Sequence, residues 1–352
     1  MGFDSDRRDV VKGIAGIGLA GIAGCMGGSG GGSNGIAIGH TGEGSIAGGV
    51  ALSIQRVMNE HSDEIDVAPE GTGGDPSSVR LLEQSELEGA VMGPYSILFA
   101  EEGTTPFAEQ QPDPEQLPLQ CFSGALINGM WLAREDTDLE TTDDLIDSDA
   151  QIWALDPEWG FYSLVRQILN QVELDSGETF WENIEDRLVN VSSSDAAGAI
   201  EEGRIDAAMT LGSSYRGLPS YAAEKDARAD LKALKQSESI YETVDSHPAM
   251  TAEYVSPDVW GWEQDLGVDE MLSWSTPHTL WLSEDVEADV AYDIMSTVHE
   301  NGEMYTNTAE TNLDLTAIED MGYVYGDFPF HPGARDFLQE NDLWEDSYEV
   351  GR

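Results

Sequence analysis

Three short turns hold the residue types that could do chemistry. Thr41-Gly42-Glu43-Gly44-Ser45 and Thr72-Gly73-Gly74 place hydroxyls and glycines just ahead of stretches with helical spacing, and Trp159-Gly160 closes a third turn of similar build. At a helix start the first backbone N–H groups have no partner inside the helix, so they attract carboxylate or phosphate. Thr41, Ser45 and Thr72 add hydroxyl donors, while Gly42, Gly44, Gly73 and Gly74 let a ligand come close to the backbone. Such turns suit recognition of a small solute; helix capping is the competing use of the same residues.

No catalytic constellation accompanies them. Gly39-His40-Thr41-Gly42-Glu43-Gly44 lacks the G-x-G-x-x-G order and no G-x-x-x-x-G-K-[ST] occurs, which argues against a dinucleotide enzyme. There is no G-x-S-x-G elbow for a serine nucleophile. His40, His61, His247, His278, His299 and His331 show no ligand spacing such as H-E-x-x-H, and no EF-hand order is present, so neither a metal site nor a cofactor is expected. Cys121 reads as a buried, inert thiol. The chain is therefore read as a non-enzyme.

The elements that must position these turns alternate. Ile36-Ala37-Ile38-Gly39 is a short apolar strand, followed by Ile46, Val50, Ile54, Val57 and Met58 at helical spacing. Ile65 to Ala68 repeats the strand, Asp75-Pro76 reads as helix N-cap and first helical residue, and Gly89 to Gly93 is a third strand. After an apolar stretch from Leu119 to Leu132, a helix closing at Asp144-Leu145, a strand Gln151 to Leu155, a helix Phe161 to Asn170, a helix Ser194 to Glu202 and a strand Ile205 to Thr210 form a second unit. Strands alternating with helices predict an α/β fold with a mainly parallel sheet. Two such units predict two lobes with a ligand cleft between them, beyond the strand ends where the turns lie. The tryptophans are core by default, with Trp159, in its turn, the one that could line the cleft.

The 352 residues include 16 Lys and Arg against 68 Asp and Glu, a formal charge of −52, with 40% hydrophobic residues. That apolar content separates the chain from disordered acidic segments. Phosphate binding relies on a basic face, yet no Lys or Arg occurs from Gln236 to Ala334, so nucleic acid is not an expected partner. Acid enriched and Lys depleted throughout is the composition of a halophilic protein, in which salt screens self-repulsion.

The first 35 residues read as an address and a tether. Arg7-Arg8 precedes the apolar run Gly13 to Gly24, too short for a membrane-spanning helix of about 20 residues. The order resembles a twin-arginine export signal over 1–24, and Ile22-Ala23-Gly24-Cys25 resembles a lipobox with Cys25 as the lipid attachment point. Residues 25–35 then form a Gly/Ser linker, leaving the folded part outside the cell membrane.

Pro69 to Leu82 (PEGTGGDPSSVRLL), placed after an opening T-G-x-G, Ala196 to Ala208 (AAGAIEEGRIDAA) and Phe328 to Phe337 (FPFHPGARDF) together resemble, in order, segments of the TAXI solute receptors of TRAP transporters. The likeness spans roughly residues 36 to 345. It implies a two-lobe periplasmic-binding-protein-like fold of the type II class, with 36–125 and 276–352 as lobe one and 126–275 as lobe two. It also implies a TRAP transporter membrane subunit as partner. By position, Thr41, Gly42, Gly44, Ser45, Thr72, Gly73 and Gly74 would face the ligand from lobe one, and Trp159 and Gly160 from lobe two. His331-Pro332-Gly333 is expected to fix a structural corner. The ligand class implied is a small-molecule carboxylate or amino acid, glutamate-like carboxylates included. The first turn departs from the family: Ser45-Ile46-Ala47 stands where a tyrosine-containing stretch is usual. The rival expectations are an anchored extracellular enzyme using the same cleft and a ligand receptor for a membrane sensor.

Overall fold

Ile36 and Ile38 pack inward from β1 (Asn34–His40), which begins before the expected strand and takes over the last two residues of the expected linker. The computed structural model describes residues 34–351 except 43, 214–216, 309–312 and 325–327. Arg7, Arg8 and Cys25 lie outside the described residues.

Helix α1 (Ile46–His61) follows because its apolar residues recur on one face: Ile46, Val50, Ile54, Val57 and Met58 are all buried. Each fully buried Val, Ile or Met side chain contributes roughly 1.5–3 kcal/mol. β2 (Ile65–Gly71) then pairs parallel with β1, from Asn34 opposite Ile65 to His40 opposite Gly71. Helix α2 (Asp75–Glu83) leads to β3 (Gly89–Met92), parallel to β1 on its other side. Pro94 starts α3 (Pro94–Glu102), which ends at Gly103 in the left-handed region (φ 63°), where glycine is favoured.

The apolar stretch after α3 is a single long strand, β4 (Leu119–Arg134). The helix expected to close at Asp144-Leu145 is only a 3₁₀ turn, Asp143–Leu145. β5 (Ile152–Trp153), α4 (Gly160–Gln171), α5 (Phe180–Ile184), α6 (Ser193–Glu201), β6 (Ala207–Gly212) and α7 (Ser220–Arg228) complete the second unit. β7 (Leu231–Ala233), α8 (Glu238–Asp245) and β8 (Thr251–Val255) lead to a second long strand, β9 (Met271–Leu282).

The sheet runs β2-β1-β3-β9-β4-β6-β5, with β7 attached to β4 and β8 to β9. The class is the expected mixed α/β, but the sheet is not mainly parallel. Among the paired strands of the described residues, β1–β2, β1–β3 and β5–β6 are parallel, and β4 and β9 run antiparallel to each other and to the other strands they pair with. The cause is connectivity: β4 and β9 lie side by side between the β2-β1-β3 strands and the β6-β5 strands, and each runs against its neighbours. Register shifts interrupt this pair between Gln120 and Phe122 and between Ser123 and Ala125. The expected lobe boundaries, after 125 and after 275, fall within this same pair, where Ala125 faces His278 and Ile127 faces Thr276.

Trp131, Trp153, Trp260, Trp274 and Trp281 are fully buried, as the default reading had them. Cys121 is a free, buried thiol whose pKa burial pushes far up. His331 caps the helix Pro332–Glu340: its Nδ1 accepts from the Gly333 N–H at 3.2 Å, and its Nε2 lies 3.0 Å from the Val286 carbonyl.

Candidate functional site

The first turn uses much of its own polarity. Ser45 is the N-cap of α1: its Oγ accepts from the Gly48 N–H at 3.0 Å and donates to the Gly42 carbonyl at 2.7 Å. In the second turn, Thr72 Oγ1 lies 2.8 Å from Ser78 Oγ and 3.0 Å from the His40 carbonyl, tying β1 to the start of α2. Gly74, not Asp75, is the N-cap of α2, so Asp75 is the first helical residue.

Asp75 is 2% exposed and sits where three turns meet. Its Oδ1 accepts from Thr41 Oγ1 at 3.2 Å; its Oδ2 accepts from the Gly93 N–H at 3.2 Å and from Ser96 Oγ at 3.1 Å. Burial, the Asp75 charge and a hydrogen bond to Asp75 together hold the Tyr95 hydroxyl well above its ordinary pKa. A buried carboxylate needs several donors to stay charged. All of these are neutral, and among the described residues no ion pair reaches Asp75.

The turn before α4 closes over this carboxylate. A Cβ added to Gly160 would lie 2.9 Å from Asp75 Oδ2 and 2.9 Å from the Tyr95 ring, and one added to Gly74 would overlap the Glu158 carbonyl. Only glycine permits both approaches. Trp159, the N-cap of α4, stacks edge-on against Tyr221 of α7 with ring centroids 5.1 Å apart, and Tyr95 meets Phe161 in the same manner at 5.9 Å. Behind Tyr221, Lys225 donates to Thr210 Oγ1 at 3.1 Å, with its Nζ 4.0 Å from the Trp153 ring centre; burial drives its pKa well down.

Two adjoining cavities result. The inner one, of about 40 Å³, is lined by Thr41, Ser45, Ile46, Ala47, Asp75, Tyr95 and His278 from one side and by Ile127, Trp159, Gly160, Phe161, Leu211 and Tyr221 from the other. His278 is 6% exposed and its Nδ1 has no hydrogen-bond partner. Burial lowers its pKa, against the opposing pull of the Asp75 charge and the Pro277 carbonyl. The outer cavity, of about 260 Å³, shares Thr41, Ser45, Trp159 and Tyr221 and adds Gly42, Gly44, Ser193, Ser194, Ser220 and Glu224. The starts of α1, α4, α6 and α7 open onto it, and no side chain caps α4 or α7, whose N-caps are Trp159 and Pro219.

Of the predicted site residues, Thr41, Ser45, Trp159 and Gly160 line the inner cavity, and Gly42 and Gly44 line the outer one. Thr72, Gly73 and Gly74 line neither. Thr72 is spent on the turn, Gly73 (φ 89°) has no atom near a would-be Cβ, and Gly74 meets the Glu158 backbone. Sequence reasoning missed Asp75, Tyr95, His278, Tyr221 and the serines that start α6 and α7. Asp75 carried a usable signal, an acid in the first turn of a helix, but that signal points to capping. No group of three or more His, Cys, Asp or Glu among the described residues could hold a metal ion, and no described helix is long and apolar enough to cross a membrane.

The sequence profile of the NMT1-like family matches residues 37–341. No curated protein sequence matches the chain significantly. Among solved structures, it is similar to the periplasmic aliphatic sulphonate binding protein SsuA from Escherichia coli: 13% identity, 91% of this chain and 96% of that one covered, TM-score 0.43. A structure concerning glutathione import via GshT and the cystine ABC importer TcyBC of Streptococcus mutans matches at 10% identity, 82% and 100% coverage and TM-score 0.47. The ligand-binding component of an ABC-type import system from Staphylococcus aureus, with zinc bound, matches at 12% identity, 90% and 96% coverage and TM-score 0.43.

Proposed function

The chain belongs to the NMT1-like family, and from that premise we propose that it is an extracytoplasmic solute-binding receptor that hands a small solute to a membrane importer. The observation that carries this reading is the pair of joined cavities, lined on one side by the turns after β1 and β3 and on the other by the starts of α4, α6 and α7. Residues 36–125 with 276–352 act as one lobe and 126–275 as the other, and β4 and β9 serve as the hinge. A ligand touching both sides favours the closed arrangement by its differential affinity for it. The uncapped starts of α4 and α7 supply N–H donors for the solute's acceptor groups.

The finer reading has the chain exported by Arg7-Arg8, lipid-anchored at Cys25 and delivering a carboxylate or amino acid to a TRAP-type membrane subunit. It is supported by the likeness of its sequence segments to TAXI receptors. ABC-type delivery, the setting described for the Staphylococcus aureus structure, is the competing assignment; a multi-span permease gene beside this one would separate the two.

The test is a thermal-shift screen of the mature protein in molar salt over amino acids and carboxylates. A ligand at 100 times its Kd stabilises by about 2.7 kcal/mol, on the order of 5 °C for a body of this size. Trp159→Ala should remove the shift while leaving the ligand-free midpoint within about 2 °C. A screen in which no small solute raises the midpoint, or in which a solute is turned over, sinks the receptor reading.

A further inference from the structure

The inner cavity is built unlike an anion site. Its lining includes a buried carboxylate, Asp75, and no Lys or Arg. Asp75 is surrounded by neutral donors only, Thr41, the Gly93 N–H, Ser96 and Tyr95. A buried charge left without a counter-charge is costly. Next to it, His278 is 94% buried, taking its 6% exposure, and its Nδ1 is unpartnered. Unpaired buried nitrogens are uncommon in folded proteins and point to a missing partner. Four aromatic rings, Tyr95, Trp159, Phe161 and Tyr221, complete the wall, and aromatic faces attract cations. The free volume, about 40 Å³, holds a group the size of one or two waters, which matches an ammonium head.

We infer that the inner cavity is an ammonium subsite, in which Asp75 supplies the counter-charge, His278 a hydrogen-bond partner, and Trp159 the cation-attracting wall, since the Tyr221 ring already has Lys225 Nζ 5.0 Å from its centre. The inference rests on the receptor reading above and narrows it: the solute carries a protonated amine, and the outer cavity takes its remainder. His278 serves as acceptor in the neutral tautomer that carries its proton on Nε2, which leaves the lone pair on the unpartnered Nδ1. Acceptor groups elsewhere on the solute meet the starts of α4 and α7 in the outer cavity. A zwitterion fits both; a dicarboxylate lacking nitrogen would set an anion against Asp75.

The experiment compares matched pairs differing only in the amine: glutamate with glutarate, alanine with propionate, taurine with ethanesulfonate. Binding is measured by calorimetry on the full mature protein in molar salt. The expected result is that, in every pair that binds, the amine member binds at least tenfold tighter. Asp75→Asn should shrink that preference to threefold or less. Because the Asp75 carboxylate also ties Thr41, Gly93 and Ser96 together, Trp159→Phe, which keeps a ring but attracts cations less strongly, provides a second test that leaves those contacts in place and should reduce the preference several-fold. Equal or tighter binding of the amine-free members overturns the ammonium subsite and leaves the receptor reading standing. Binding by no member of any pair overturns both.

Discussion

His247, His278 and His331 are buried, and burial lowers the pKa of each. For His247 the hydrogen bonds explain how the neutral form is held: Nδ1 accepts from the Ala249 N–H at 3.2 Å, so Nε2 donates to Gln167 Oε1 at 2.9 Å. The pKa falls from 6.5 to about 4. Below pH 6.5 the unfolded chain takes up a proton that the folded chain refuses until about pH 4. The stability contributed by neutral His247 is therefore complete above pH 6.5 and lost as pH falls towards 4. The loss is about 3 kcal/mol. His247→Gln keeps a hydrogen-bonding side chain without the titration. The stability gap between wild type and variant in urea melts should then be wider at pH 7.5 than at pH 4.5. A gap that is constant with pH would show that His247 does not couple protonation to folding.

At the scale of elements, Gly74 makes the site dependent on the approach of two turns. Its backbone is extended (φ 164°), which any residue can adopt, so Gly74→Ala costs nothing in local conformation. The added methyl instead meets the Glu158 carbonyl of the turn before α4. If ligand binding requires these turns to close, the variant should bind at least tenfold more weakly, and because the overlap is with backbone in the arrangement described, its ligand-free unfolding midpoint should also fall by a few degrees. Unchanged affinity would show that closure here is not coupled to binding. The alternation of β1, α1, β2, α2 and β3 was legible because each is short, periodic and punctuated by glycine or proline. β9 was not legible: all twelve of its residues are buried, so no alternation marks it, and the same holds nearly throughout β4. That explains why the candidate site was read only in part. Thr41, Ser45 and Trp159 sit in turns that announce themselves, whereas His278 comes to line the same cavity as Asp75 through the pairing of β9 with β3, Met92 opposite Thr279. A partner about 200 residues away leaves no local trace.

At the scale of the molecule, Asp4, Asp6 and Asp9 balance Arg7, Arg8 and Lys12, so residues 25–352 carry the entire charge of −52. Of the seven ion pairs among the described residues, none is fully buried and two, Arg228 with Glu201 and Arg204 with Glu202, join exposed side chains on both sides; such solvent-accessible pairs contribute about 1 kcal/mol or less. They cannot offset repulsion among dozens of carboxylates in dilute buffer. The screening length, about 3 Å at 1 M salt, grows to about 10 Å at 0.1 M, so repulsion between surface carboxylates reaches much further in dilute buffer. In molar salt the long-range field therefore vanishes within a few ångströms, and the selection of a solute would fall to the groups proposed to touch it: Asp75, His278 and the starts of α4 and α7. The unfolding midpoint should fall as salt is diluted from about 2 M to about 0.1 M, with most of the loss below about 0.5 M, where the screening length rises fastest. Sodium and potassium chloride should act alike if screening is the cause. A midpoint that is flat over this range would contradict adaptation to high salt. A midpoint that depends strongly on which cation is present would replace screening with ion binding to the acidic surface.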